Sequence, residues 1–80
     1  MSKEEIYNKL NEVFRDVFDD EEITVNESTT ADDIEDWDSL EHINLIVAVE
    51  KKFGIKFNMG EVNKFKNVGE MADSVASKLG

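Results

Sequence analysis

The chain has 80 residues, no cysteine and a formal net charge of −10. This length suits one domain with a core just large enough to fold alone, so we predict a single domain over residues 1–80. Without cysteine, the chain cannot form disulfides, thiolate metal sites or a cysteine nucleophile. No apolar run approaches the roughly 18 residues that cross a bilayer, and no signal-peptide pattern is present, so we expect no transmembrane segment and a cytoplasmic location.

The acidic residues are concentrated in one part of the chain. Residues 16–50 contain thirteen Asp and Glu and none of the nine Lys and Arg. Such a stretch carries a negative potential that attracts basic protein surfaces and repels nucleic acid. We therefore expect protein partners and no nucleic-acid partner. The stretch lacks the regular spacing and closing Glu of a calcium-binding loop, so we expect no metal site.

The first predicted element is a helix that ends near Phe18. Ser2 and Glu5 fit a capping box, in which the serine accepts a hydrogen bond from a first-turn N–H. The apolar residues that follow recur at helical spacing: Ile6, Leu10, Val13, Phe14, Val17 and Phe18. Residues 19–38 then form a long connection, in which Thr30 and Asp33 predict one helical turn.

A second helix is predicted from Ser39 to Phe53. Asp38 and Glu41 fit a capping box at its start, and Gly54 supplies a C-terminal stop. At about 100° per residue, one face is apolar and contains Ile43, Leu45, Ile46, Val49 and Phe53. The opposite face contains Glu41, Asn44, Ala48 and Lys51. We expect the first face to pack in the core and the second to lie open.

Two shorter helices complete the prediction. Asn58 and Glu61 can cap a third helix that runs to about Phe65, and Asn67 with Glu70 can cap a fourth. The fourth helix carries one apolar stripe, formed by Val68, Met71, Ala72, Val75 and Leu79. The predicted fold class is all-α: a small four-helix bundle with a long loop between helices 1 and 2 and a short helix 3.

Ser39 occupies an informative position as the first residue of the second helix. Its hydroxyl is expected beside the preceding loop, where another protein can reach it. The positive end of the helix dipole favours an added phosphate at this place. The local pattern alone leaves two readings open, a modified serine or an ordinary capped helix with an unmodified one.

The acidic loop, the order of four helices, and the two runs Asp36 to Ile46 and Phe53 to Phe57 resemble acyl carrier proteins. The resemblance covers the whole chain. In that family, the serine of the Asp-Ser-Leu motif is esterified with 4′-phosphopantetheine, whose terminal thiol carries acyl groups as thioesters. The resemblance implies one acyl carrier domain over residues 1–80, with Ser39 as the attachment site. It implies a holo-acyl-carrier synthase, or phosphopantetheinyl transferase, as a partner that transfers the group from coenzyme A.

The resemblance also implies two further sets of site residues. Acyl-loading and acyl-transfer enzymes are expected to dock basic patches on the start and exposed side of the second helix. The partner-binding residues are Asp38, Leu40, Glu41, Asn44, Val47, Ala48 and Glu50. A carried acyl chain is expected to enter between the helices, and its lining residues are Ile43, Ile46, Val49, Phe57, Val62 and Ala72. The carrier is expected to be a monomer.

Three residues depart from carriers of general fatty-acid synthesis. Asn44, Lys51 and Lys52 stand where those carriers usually have acids. The departures favour a specialised carrier that serves a dedicated acyltransferase or a pathway for a modified lipid, sugar or secondary metabolite. An aminoacyl carrier of the D-alanyl type and an unmodified acidic adaptor remain alternatives.

An enzyme is the remaining class to consider, with His42 as a base for Ser39 three residues away. A helical i, i+3 pair is close in space. The sequence offers no orienting acid, no oxyanion donors and no substrate cleft in so small a bundle. We therefore expect no catalytic residues.

Overall fold

The computed structural model describes residues 1–79 and shows four α-helices. Helix α1 spans Lys3–Val17, α2 Ser39–Phe53, α3 Met59–Val62 and α4 Val68–Leu79, and a 3-10 turn spans Ala31–Asp33. Residues 1–79 contain no strand. The all-α prediction, with a long connection after the first helix and a short third helix, is confirmed.

Helix α1 begins where its sequence pattern predicts. The Ser2 hydroxyl accepts from the Glu5 N–H at 3.2 Å, which satisfies one of the free donors of the first turn. The helix ends at Val17, one residue before the predicted end, and the Phe18 N–H bonds back to the Phe14 carbonyl. Its buried face consists of Ile6, Leu10, Val13 and Phe14.

The long connection is fixed to α1 by two side chains. Arg15 Nε donates to the Ile23 carbonyl at 2.7 Å, and the Asn11 side-chain oxygen accepts from the Val25 N–H at 2.6 Å. Val25 itself is buried in the core. These bonds supply backbone partners that a helix or sheet would otherwise provide, so the part of the connection before the 3-10 turn is held in place without regular structure.

The connection also contacts the start of α4. The Val68 N–H donates to the Thr29 carbonyl at 2.8 Å, and the Gly69 N–H donates to the Glu27 carbonyl at 3.1 Å. Two of the free donors in the first turn of α4 are thereby paired with the loop. The connection therefore crosses the bundle and joins α1 to α4, ahead of the residues that lead into α2.

Helix α2 has the predicted bounds. Asp38 accepts from the Glu41 N–H at 2.9 Å, and Gly54 ends the helix with a left-handed φ of 67°, a conformation that glycine adopts without steric cost. The reciprocal half of the predicted capping box is wrong, because the Glu41 carboxylate accepts instead from the Asn44 side-chain amide at 3.1 Å. The core-facing residues are Leu45, Ile46, Val49 and Phe53.

Helix α3 is shorter than predicted. Its capping box between Asn58 and Glu61 is complete, but the helix ends at Val62 rather than Phe65. The Lys64 N–H bonds to the Glu61 carbonyl three residues back, which tightens the last turn and ends the α-helical pattern. Phe65 then packs edge-on against Phe57, with ring centroids 5.4 Å apart.

Helix α4 completes the bundle. The Asn67 side chain caps it by accepting from the Glu70 N–H at 2.9 Å. Its buried residues Val68, Met71, Ala72 and Val75 join one hydrophobic core with those of α1, α2 and the loop. No helix within residues 1–79 is both long and apolar enough to cross a membrane.

Candidate functional site at the start of helix α2

Ser39 is the first residue of α2 and is exposed. The preceding Asp38 has an extended backbone, and its carboxylate caps the first turn. The cap fixes the direction in which the chain enters the helix, and the start of the helix presents unpaired N–H groups. A phosphate ester on Ser39 would therefore lie near the positive end of the helix dipole.

A cleft of about 550 Å³ opens beside Ser39. Its walls come from the end of the long connection, the first turns of α2, the end of α3 and the residues before α4. The lining residues are Ala31, Trp37, Asp38, Ser39, His42, Ile43, Val62, Asn63, Phe65 and Lys66. An exposed hydroxyl beside a cleft with aromatic and aliphatic walls fits a long, partly apolar group attached to Ser39.

One wall of the cleft is fixed by a chain of two hydrogen bonds. Trp37 Nε1 lies 3.1 Å from His42 Nδ1, and His42 Nε2 lies 3.1 Å from the Val62 carbonyl oxygen. Since the indole N–H only donates, Nδ1 is the acceptor, and the ring proton belongs on Nε2, which donates to Val62. The pair of bonds connects the loop, α2 and α3.

Trp37 also connects the cleft to the core. Its ring packs edge-on against Phe14, with centroids 5.3 Å apart, and lies 6.2 Å from the Phe18 ring. The His42 ring stacks on Trp37 at 5.9 Å with an interplanar angle of 21°. Both His42 nitrogens are therefore engaged away from Ser39, which removes the arrangement that a general base for Ser39 would need.

Comparison with known proteins identifies the family. The family model described as "phosphopantetheine attachment site" matches residues 8–75. An acyl carrier protein of Petrotoga mobilis is 36% identical, over 99% of this chain and 93% of that protein.

This chain belongs to the acyl carrier protein family.

Two further comparisons agree. An acyl carrier protein of Lactobacillus acidophilus is 31% identical over the full length of both chains. The solution NMR structure of the holo acyl carrier protein from Geobacter metallireducens is 51% identical, with a TM-score of 0.85, and the match covers 91% of this chain and 84% of that chain. Membership confirms the predicted family, its 4′-phosphopantetheine cofactor and the prediction that the protein is a non-catalytic carrier.

The structure places the residues predicted for partner binding in two environments. Asp38, Leu40, Asn44 and Val47 are exposed, and the exposed fraction reaches 70% for Leu40 and 43% for Val47. Glu41 is half-buried. Ala48 is partly buried and packs against the core, so its predicted place on the open face is wrong.

Glu50, which was predicted to bind partners, makes a hydrogen bond within the protein. It is half-buried, and its carboxylate accepts from the Phe57 N–H at 2.7 Å. That bond joins α2 to the segment that precedes α3, and it uses one of the carboxylate oxygens internally. A structural role for Glu50 was not predicted from the sequence, because the bond joins residues seven positions apart outside one helix.

The six residues predicted to line an acyl pocket do not share one cavity wall. Ile46, Val49, Val62 and Ala72 are buried in the core, and Phe57 is half-buried against it. Ile43 is 50% exposed, so its predicted inward position is wrong. Of the six, Ile43 and Val62 line the cleft beside Ser39.

Six of the cleft residues were not among the predicted site residues, namely Ala31, Trp37, His42, Asn63, Phe65 and Lys66. Three of them lie between α3 and α4, where the sequence predicted that the third helix continues to Phe65 but the structure ends it at Val62. Residues 1–79 contain no group of three or more His, Cys, Asp and Glu that could hold a metal ion.

Proposed function

We propose that Ser39 is the attachment site of 4′-phosphopantetheine, and that the protein carries acyl groups on this arm in fatty-acid or specialised lipid and metabolite synthesis. The observation that carries the proposal is the exposed hydroxyl at a capped helix start beside an aromatic-walled cleft. When bound, the group supplies a thiol that forms thioesters. The chain has no thiol of its own, because it contains no cysteine.

The protein's own contribution to loading is the Ser39 hydroxyl and its geometry. A phosphopantetheinyl transferase would bring the hydroxyl to the phosphorus of coenzyme A and supply the metal ion that stabilises phosphoryl charge. In that transfer the Ser39 oxygen would form the new bond to the phosphorus that bears the pantetheine arm, the pyrophosphate bond of coenzyme A would break with adenosine bisphosphate as the leaving group, and the hydroxyl proton would pass to the transferase. Asp38 keeps the entry to α2 fixed during this step through its bond to the Glu41 N–H.

The docking surface for partner enzymes is proposed at the open side of α2. Leu40, Ile43 and Val47 are exposed apolar residues spaced three and four positions apart, which places them on one side of the helix. Asp38, Glu41 and Asn44 adjoin this stripe in the sequence. Basic rims on the partner would accelerate association, while the apolar side chains would supply the buried contact.

The specialised role is supported by the charge distribution along α2. The first turn contains Glu41, and the last turn contains Lys51 and Lys52. Both lysines are exposed. Lys52 pairs with Glu12 of α1 at 3.0 Å, whereas Lys51 takes no part in the ion pairs found among residues 1–79. Partners matched to this surface would need an acidic group opposite Lys51, which a purely basic docking patch lacks.

An aminoacyl cargo of the D-alanyl type is the alternative. Cytoplasmic location and a monomeric state remain predictions.

Intact-protein mass spectrometry tests the attachment. The protein is incubated with coenzyme A, magnesium and a broad-specificity phosphopantetheinyl transferase, beside Ser39→Ala and the matched control Ser77→Ala, which replaces an exposed serine of α4. We expect one phosphopantetheine addition in the wild type and Ser77→Ala, and none in Ser39→Ala. No addition to the folded wild type would favour the unmodified adaptor.

A further inference from the structure

Lys66 lines the same cleft as Ser39, although it lies 27 positions further along the chain. It belongs to the connection between α3 and α4, and its side chain is exposed. Its backbone N–H donates to the Glu70 carboxylate, while Glu70 is itself part of the Asn67 cap of α4. The backbone of Lys66 is therefore fixed to α4, whereas its side chain extends from this anchor.

The surroundings of Ser39 are unfavourable for another negative charge. Asp36 and Asp38 precede it, Glu41 follows it, and residues 16–50 contain no Lys or Arg. A phosphodiester on Ser39 adds a further negative charge at this place. The helix dipole offsets part of the repulsion, but a nearby cation would offset more.

Lys66 is the only Lys or Arg among the residues that line the cleft. His42, the other basic side chain there, is neutral in the observed hydrogen-bond arrangement because its Nδ1 accepts from Trp37. The ion pairs found among residues 1–79 use Lys3, Lys52 and Lys78, so they leave the Lys66 ammonium available.

We propose that Lys66 is the positioning residue for the phosphate of the arm, and that its ammonium pairs with the phosphodiester on Ser39 across the cleft. The inference rests on Ser39 as the attachment site. The pairing directs the first bonds of the arm along the wall formed by Trp37 and Phe65. A charge-assisted hydrogen bond of this kind orders an otherwise freely rotating arm.

The structure provides a matched control two residues away. Lys64 is exposed in the same connection and does not line the cleft. Lys64→Gln therefore changes the net charge as Lys66→Gln does, but leaves the proposed partner of the phosphate in place. General screening of charge would give the two variants the same effect.

The experiment uses holo protein of the wild type, Lys66→Gln and Lys64→Gln, with complete loading verified by mass. Phosphorus NMR reports the phosphodiester resonance, and heteronuclear NOEs of the isotope-labelled arm report its mobility. We expect Lys66→Gln to shift the phosphorus resonance and lower the NOEs of the arm, while Lys64→Gln matches the wild type. Added salt should move the wild-type resonance towards that of Lys66→Gln.

Three outcomes are distinguishable. Failure to load the wild type would contradict the proposed function itself, and it would appear in the mass spectrum before any NMR measurement. Equal resonances and equal arm NOEs in all three loaded proteins would overturn the role of Lys66. Equal shifts in Lys66→Gln and Lys64→Gln would also overturn it, because they would indicate net charge instead of a specific pair.

Discussion

The indole N–H of Trp37 donates to His42 Nδ1 at 3.1 Å. This bond determines the tautomer of the histidine, because Nδ1 accepts and Nε2 retains the proton that goes to Val62. The same indole packs against Phe14 of α1. One tryptophan in the loop therefore connects α1, α2 and, through His42, α3 around the cleft that contains Ser39.

The Trp37–His42 bond predicts a specific loss of stability in Trp37→Phe. Phenylalanine keeps an aromatic ring but removes the donor, which leaves the partly buried His42 Nδ1 unpaired. The expected loss in the free energy of unfolding is on the order of 1–3 kcal/mol. Urea unfolding followed by circular dichroism measures it.

A double-mutant cycle with His42→Leu separates the bond from the lost packing. Because Leu needs no hydrogen bond, the double variant should be less destabilised than the sum of the two single variants. Strict additivity of the two single losses would contradict a coupled Trp37–His42 pair.

Gly69 predicts a close-packing effect at the contact between α4 and the long connection. A Cβ at this position would lie 2.7 Å from the Glu27 carbonyl oxygen, so Gly69→Ala forces the helix and loop apart and weakens the Gly69–Glu27 hydrogen bond. The expected loss is roughly 1–3 kcal/mol in the free energy of unfolding. Gly60→Ala is the control, since its Cβ meets only the Asn58 side chain at 3.3 Å. Equal stability of the two variants would contradict the contact.

The cap of α3 predicts a dependence on acid. The hydrogen bond from Lys78 and the backbone N–H of Asn58 hold the pKa of Glu61 below its usual value of 4.5. A carboxyl group with a lower pKa in the folded state stabilises the fold fully above its unfolded pKa, and this contribution disappears as the pH falls through the folded pKa.

Glu61→Gln removes that titration. The difference in melting temperature between wild type and variant should be constant near neutral pH and shrink as the pH falls below about 4.5. Melting curves at matched ionic strength measure the difference. A difference that widens in acid would contradict the direction of the pKa shift.

The acidic central stretch predicts stabilisation by ions. The thirteen acids of residues 16–50 have no Lys or Arg within their own stretch, and their mutual repulsion is reduced when salt screens it. Thermal unfolding should therefore shift to higher temperature with sodium chloride and with magnesium chloride. A melting temperature that is unchanged in both salts would contradict the prediction that these acids lie close enough to repel one another.

The elements that were predicted well are those whose ends are set by residues close in the sequence. Asp38 and Gly54 bound α2 because capping and a left-handed stop act within a few residues. The orientation of α2 was less accessible. Ile43 and Ala48 lie at the borders of its apolar stripe, and which border turns inward depends on packing against α1 and the rest of the core. The structure buries Ala48 in part and leaves Ile43 half exposed.

The cleft was beyond sequence-based prediction for a related reason. Phe65 lies outside the third helix, although the sequence predicted it inside. Its ring packs on Phe57 of another segment, and no local sequence pattern encodes this tertiary contact. Lys66 lies beyond the early end of α3, in the connection to α4, and lines the cleft beside Ser39 from there. The motif alone singles out Ser39 as the proposed site, whereas the residues that line the cleft beside it depend on the assembled bundle.

The most direct test of the account is fragmentation mass spectrometry of the loaded wild-type protein, which locates the phosphopantetheine group along the chain. We predict that the group is on Ser39 and on no other serine or threonine, because Ser39 combines exposure, a capped helix start and the adjoining cleft. A group located on any other residue would contradict the account.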